Sequence, residues 1–342
     1  MPKQVLLGGV SGLPQLYDGV AYAGNSSART ISTSFSPDLV IAKRRTAAGS
    51  PSWFDSVRGD YLRLESDGTL QEYASNTNTI AFETDGFSIG GASTSLNNTG
   101  DNYMAWCFKA GGTAVTNTDG AITSSVSANP SAGFSVLTYT GNDSTGTIGH
   151  GLNSTPELVI VKNRNFSSGT PWYVGAPLLG TSGYLWLNDN MGKATYSDGS
   201  GGAFFNYSGW SNSVVNVYDA GSTAVNSSSY NYVMYAFHSV DGVSKIGTYT
   251  GNGSLTGPVI TTGFQPKFIF VKCISANSNW QILDSDRSPS NPVNDALFFD
   301  QNSQELGLSS YNVDFNSDGF AIKSALGNMN NNGSTYLYVA FA

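Results

Sequence analysis

Two histidines, one closely spaced pair of carboxylates and one acidic run are the places where this chain could do acid–base or metal chemistry. His150, within Gly149-His150-Gly151, and His238 are its two histidines, the side chains that titrate closest to neutrality. A serine nucleophile would need a strained Gly-x-Ser-x-Gly elbow between a strand and a helix, and the chain has none in that context. Both histidines are therefore expected to be structural. Asp284-Ser285-Asp286 would put two carboxylates on one face of a strand, as a glycan-cleaving pair requires. Arg287 beside them reads instead as part of a solvated turn. The run Asp314-Phe315-Asn316-Ser317-Asp318-Gly319 has the alternating oxygens of half a calcium loop. Its twelfth position is Ala325, where the loop needs a glutamate, so a plain Asp-Gly hairpin is expected. Gly199-Ser200-Gly201-Gly202 lacks the lysine of a phosphate loop. Cys107 and Cys273 lie inside apolar runs and read as small buried hydrophobes. The expectation is no catalytic residue, no metal and no cofactor.

Binding needs less machinery. The stretch from Tyr196 to Gly221 holds Phe204, Phe205, Tyr207, Trp210 and Tyr218 among Asn and Ser. Flat rings beside hydrogen-bonding groups suit a glycan or a partner protein. Phe205, Tyr207, Trp210 and Tyr218 are the candidate contacts. The alternative is that these rings close a core of their own.

The elements that would position such residues are strands. Only 12% of the 342 residues are charged, against about 25% in an ordinary domain. Gly, Ser, Thr and Asn fill the difference, and they favour turns over helices. A 39% hydrophobic share, 12% of the chain being aromatic, excludes disorder. The net charge of −8 excludes nucleic-acid binding, which needs a basic stripe. Lys43-Arg44-Arg45 comes closest and reads as the exposed end of a strand. The stretch Met1 to Val10 is too short in apolar residues for a signal peptide, and no apolar run is long enough to span a membrane as a helix. Synthesis in a cytoplasm is expected, without membrane insertion.

Repetition organises the chain. Tyr139-Thr140-Gly141-Asn142 returns as Tyr249-Thr250-Gly251-Asn252, and a weaker copy is Tyr22-Ala23-Gly24-Asn25. After 15, 17 and 17 residues come Pro37, Pro156 and Pro266, each leading an apolar strand that ends in Lys43, Lys162 or Lys272. Trp53, Trp172 and Trp280 follow and read as core. Each copy closes on an aromatic strand: Tyr103-Met104-Ala105-Trp106-Cys107-Phe108, Tyr232-Val233-Met234-Tyr235-Ala236-Phe237 and Tyr336-Leu337-Tyr338-Val339-Ala340-Phe341. Asp85-Gly86-Phe87 and Asp318-Gly319-Phe320 add a hairpin turn in the first and third copies. Short strands at this spacing predict an all-β chain of three tandem β-sandwich repeats, jelly-roll or lectin-like, of about 100 residues each. The boundaries are an N-terminal docking arm at 1–19, repeats at 20–110, 136–240 and 241–342, and a linker at 111–135.

Trp53-Phe54-Asp55-Ser56-Val57-Arg58-Gly59, Asp85-Gly86-Phe87, Tyr103 to Gly112 and Tyr139 to Asn142 resemble a repeat family of uncharacterised domains found in cyanophages and other marine phages. Its members are often called tail-fibre-like or structural. The resemblance implies a non-enzymatic virion protein, with a short tail fibre or host-attachment protein as the leading expectation. A capsid decoration protein or head fibre is the alternative, because no heptad or collagen repeat builds a shaft. A glycan-depolymerising spike is the third reading. Expected partners are other virion proteins through residues 1–19 and a host-surface glycan or receptor. A homo-oligomer, a trimer, is expected from virion symmetry.

Overall fold

A computed structural model describes residues 15–74, 80–93, 95–196, 204–218 and 223–342. The chain is nearly all β. Each proline-led run becomes a strand: Leu39–Arg44, Leu158–Asn163 and Phe268–Cys273. Each pairs antiparallel with its closing aromatic strand, Asn102–Phe108, Asn231–Phe237 or Thr335–Phe341. The closing strand sits between the proline-led strand and the strand that opens the copy, Tyr17–Ala23, Phe134–Thr140 or Ser244–Thr250. Three further short strands extend each sheet on the other side. Among the described residues the first and third main sheets have six strands and the second has eight.

The recurring tyrosines explain themselves. Tyr22 stacks on Tyr103, Tyr139 on Tyr232 and Tyr249 on Tyr336, with ring centroids 5.4, 5.1 and 4.9 Å apart. Gly24, Gly141 and Gly251 follow because the chain turns against backbone there. A Cβ at these positions would lie 2.1, 2.2 and 2.3 Å from the carbonyl oxygens of Asn98, Ser227 and Asn331. Gly86 and Gly319 do the same in the Asp-Gly-Phe hairpins, at φ of 156° and 153°.

One face of each main sheet packs on a small outer sheet, which makes the sandwich. Those outer sheets have three, two and three strands. In the first copy Val40, Phe54, Phe87 and Cys107 fill the layer between; in the third, Ile269, Val271, Phe320 and Cys273 do so. The opposite faces of all three main sheets meet one another. Leu39, Ile41, Leu158, Ile160, Phe268 and Phe270 belong to a single apolar cluster with the closing-strand residues Trp106, Tyr235 and Val339. Phe108, Phe237 and Phe341 hold matching positions and form a triangle, with centroids 6.4, 5.2 and 6.1 Å apart. The three sheets thus form a ring around one shared core. A tandem row of separate sandwiches would leave these faces wet.

Both faces of each proline-led strand are therefore buried, which is why its sequence is continuously apolar. Leu16 and Tyr17 fill the shared core and residues 17–19 lie in the opening strand of the first sheet, so this end of the stretch 1–19 packs into the fold. Residues 1–14 lie outside the described residues. The linker drawn at 111–135 carries the strands Val115–Asn117 and Ser124–Asn129, which extend the second sheet.

Candidate functional site

The candidate chemical groups are held as structural partners. Strand Gln281–Asp284 ends before Asp286, so the two carboxylates do not share a strand face. Asp284 is fully buried and accepts from Arg287 Nε at 2.6 Å and Trp106 Nε1 at 2.9 Å. Asp286 instead accepts from the Tyr17 hydroxyl at 3.1 Å. His150 is fully buried: its Nε2 lies 3.2 Å from the Ser211 carbonyl and its Nδ1 accepts from Leu152 N–H. Burial pushes its pKa down to about 4, against the weaker pull of the Ser211 carbonyl. His238 Nδ1 contacts the Ser239 carbonyl. The run at 314–319 is the hairpin between Val313–Asn316 and Gly319–Ile322, and Asp314 faces Lys323 at 3.6 Å. Among the described residues, no three His, Cys, Asp or Glu side chains gather as a metal site would need.

The seams between sheets use a set of residues that recurs around the ring. Lys43, Lys162 and Lys272 have no solvent exposure. Each stem continues the inward face of its strand, and each ammonium donates to one carbonyl of its own loop and one of the neighbouring sheet. Lys43 reaches Gly49 and Gln301, Lys162 reaches Thr170 and Thr69, and Lys272 reaches Ser278 and Asp189. Lys43 is thus no exposed strand end. Its neighbours are engaged too, Arg44 with Asp101 and Arg45 with Glu305.

Two of the seams carry a buried ionic chain. At one, Tyr235 donates to Asp55, Asp55 pairs with Arg58, and Arg58 and Arg164 share Glu72. At another, Trp106 donates to Asp284, Asp284 pairs with Arg287, and Arg287 and Arg45 share Glu305. Burial pushes Arg58 toward neutrality, but Asp55, Tyr235 and Glu72 outweigh it and hold the charge. The third seam replaces the whole set. Val339, Ala176, Leu179, Lys193 and Ile274 stand where the others have Trp or Tyr, Asp, Arg, Glu and Arg. Backbone bonds stay common: Glu72, Lys193 and Glu305 donate their N–H to Arg164, Ile274 and Arg45, and Thr170, Ser278 and Gly49 donate theirs to Thr69, Asn190 and Asn302. The recurrence of Asp55-Ser56-x-Arg58 as Asp284-Ser285-x-Arg287 was a readable signal for these chains.

The three tryptophans are buried but are not all equivalent. Trp172 and Trp280 donate Nε1–H across seams to the carbonyls of Glu65 and Trp186, at 2.9 and 2.8 Å. Their own carbonyls accept from Leu187 and Phe299; in the first copy it is the Pro51 carbonyl that accepts, from Ser66. Trp53 therefore sits two residues further along, on the same face, with its Nε1 unpaired. Sequence also passes over Asn97, Asn226 and Asn330. Each is fully buried and binds the Gly-Asn turn of its copy, through Asn25, Asn142 and Asn252.

Phe205 and Trp210 go into the second sandwich's own core, and Tyr207 packs against it. Phe205 is 1% exposed and Trp210 8%, packed with Tyr173, Val215 and Val217. Gly175 leaves room for the Phe205 ring. Tyr207 donates to the Gly183 carbonyl at 2.6 Å and Trp210 Nε1 to the Asn216 carbonyl at 3.2 Å. Tyr218 is half-buried, its N–H bound to Phe204. Residues 197–203 and 219–222 of this stretch lie outside the described residues.

An open cleft of about 270 Å³ lies on the inner face of the second main sheet, where the added strands carry the sheet past the shared core. Thr116, Thr123, Ser124, Ser125, Thr138 and Thr140 line it with Asn231, Arg164 and Tyr139.

The profile of the family described as Domain of unknown function (DUF7483) matches residues 14–342. The chain belongs to that family. The matched stretch spans all three main sheets and the core they share. No curated protein and no solved structure matches the chain.

Proposed function

We propose that the chain is a non-enzymatic structural protein of a phage virion, a short tail fibre or host-attachment protein that presents loops on a rigid ring. The observation carrying this reading is how the reactive groups are used. The buried carboxylates, guanidiniums and ammoniums are tied to one another or to backbone carbonyls across seams, so they hold the ring closed. Loops, sheet edges and a hydroxyl-lined cleft remain open to solvent, a surface suited to contact. The threefold arrangement for which a trimer is expected is already supplied by three sheets of one chain.

A capsid decoration protein or head fibre is the second reading. It draws on compactness, since the longest helix among the described residues is Gly327–Asn330 and no shaft is built. Immunogold labelling of intact virions decides between them. Label at the tail tip supports the attachment reading, label over the head favours decoration, and virions free of label overturn both. New reducing ends after incubation with host polysaccharide would transfer the chain to the depolymerising spikes.

A further inference from the structure

We infer that the cleft on the second main sheet binds a neutral, hydroxyl-rich saccharide, a proposal that rests on the attachment reading and names its ligand class. The strands that build its floor are peculiar to this sheet among the described residues. The first and third sheets end at Tyr17–Ala23 and Ser244–Thr250, whereas the second continues beyond Phe134–Thr140 into two more strands. Register then lines up the floor. Thr116 lies opposite Ser125, Ser125 opposite Thr138, and Thr140 opposite Asn231. Neighbouring strands stand about 4.8 Å apart, so side chains in register share one face as a ladder of hydroxyls.

That chemistry matches a sugar. A hydroxyl donates and accepts, as do the alcohols of a saccharide; the Asn231 Oδ1 takes the Thr140 hydroxyl at 2.9 Å, which leaves the Asn231 amide N–H groups to donate and the Thr140 oxygen to accept. Charge narrows the class. Arg164, the one cation in the lining, gives its Nε and Nη2 to Glu72 at 3.1 and 2.8 Å. Its charge is neutralised, and the chain as a whole carries −8. A phosphate or uronate would find no cation in the lining that is not already paired, and a chain of net negative charge around it. The cleft is slightly smaller than the ~300–1,000 Å³ of drug-sized pockets and open, so it holds a short stretch of a longer glycan. Neutral hydrogen bonds make each site weak, which suits a protein displayed in many copies.

The test uses the full chain on an array of neutral hexose and N-acetylhexosamine oligosaccharides, with uronate-bearing and phosphorylated ones for comparison. Thr138→Lys and, separately, Ser125→Lys would fill the cleft; circular dichroism and melting report whether each variant folds. The wild type is expected to bind neutral members, and a folded variant to lose about tenfold or more in affinity. Binding that both folded variants keep would overturn the cleft as the site while leaving attachment standing. Binding only of anionic members, or of none, would overturn the ligand class. Virions without label would remove the attachment reading whatever the array shows, so the two failures are told apart.

Discussion

Lys162 donates its ammonium to the carbonyl of Thr69 at 2.8 Å, across a seam between two sheets and out of reach of solvent. Its counterparts Lys43 and Lys272 make the same bridge to Gln301 and Asp189. Three charges buried to tie three sheets head to tail make stability sensitive to pH.

Burial pushes Lys162 from 10.5 down to about 7 and Lys43 down to about 8, the latter against the pull of Asp67 and Asp300; Lys272 moves the same way. Between those values and 10.5 the unfolded chain holds more protons than the folded one, so stability rises with pH across that window. Above about pH 10 the sign reverses. Tyr17, Tyr139, Tyr235 and Tyr249 are buried and pushed well above 10, so the unfolded chain loses protons first. The urea midpoint should climb from pH 7 to a maximum near pH 10 and then fall. Lys162→Met should make the climb shallower. A midpoint that is flat or falls from pH 7 to 10 contradicts this.

The three seams form a natural substitution experiment. Removing Arg58 alone strands the buried Asp55 carboxylate, and Arg58→Leu should cost about 3–5 kcal/mol. Adding Asp55→Ala copies the Ala176 and Leu179 of the third seam and should recover most of that loss. Chemical denaturation of both variants checks it. A double variant no more stable than the single one would mean the seams are not interchangeable.

Tryptophan replacement should divide the three positions. Trp172→Phe and Trp280→Phe each orphan a carbonyl across a seam, whereas the Trp53 indole N–H has no partner to lose. Trp53→Phe should therefore be milder than the other two by about 1 kcal/mol, read from thermal or urea midpoints. Equal losses at all three would show that packing alone sets the cost.

The strands were legible because each proline-led run is apolar on both faces and each opening tyrosine has a stacking partner in the closing strand. Where each face goes was not legible. Val40 and Ile41 look alike in sequence, yet Val40 turns to its own sandwich and Ile41 to the core shared with two other sheets. Lys43 reads as a strand end because burial of its ammonium depends on a carbonyl 258 positions away, that of Gln301. The two-residue offset of Trp53 is silent because a strand repeats its face every second residue. Trp210 and Phe205 offered the composition of a binding surface and of a core equally, and packing against Val215 and Val217 decided for the core.

Differential scanning calorimetry tests the shared core most directly. If the three sheets stand on one core, the chain melts in a single transition whose calorimetric and van't Hoff enthalpies agree, on the order of 240 kcal/mol for the whole chain. Two or three resolved transitions, each carrying a fraction of that enthalpy, would contradict the ring and return the molecule to independent sandwiches on a string.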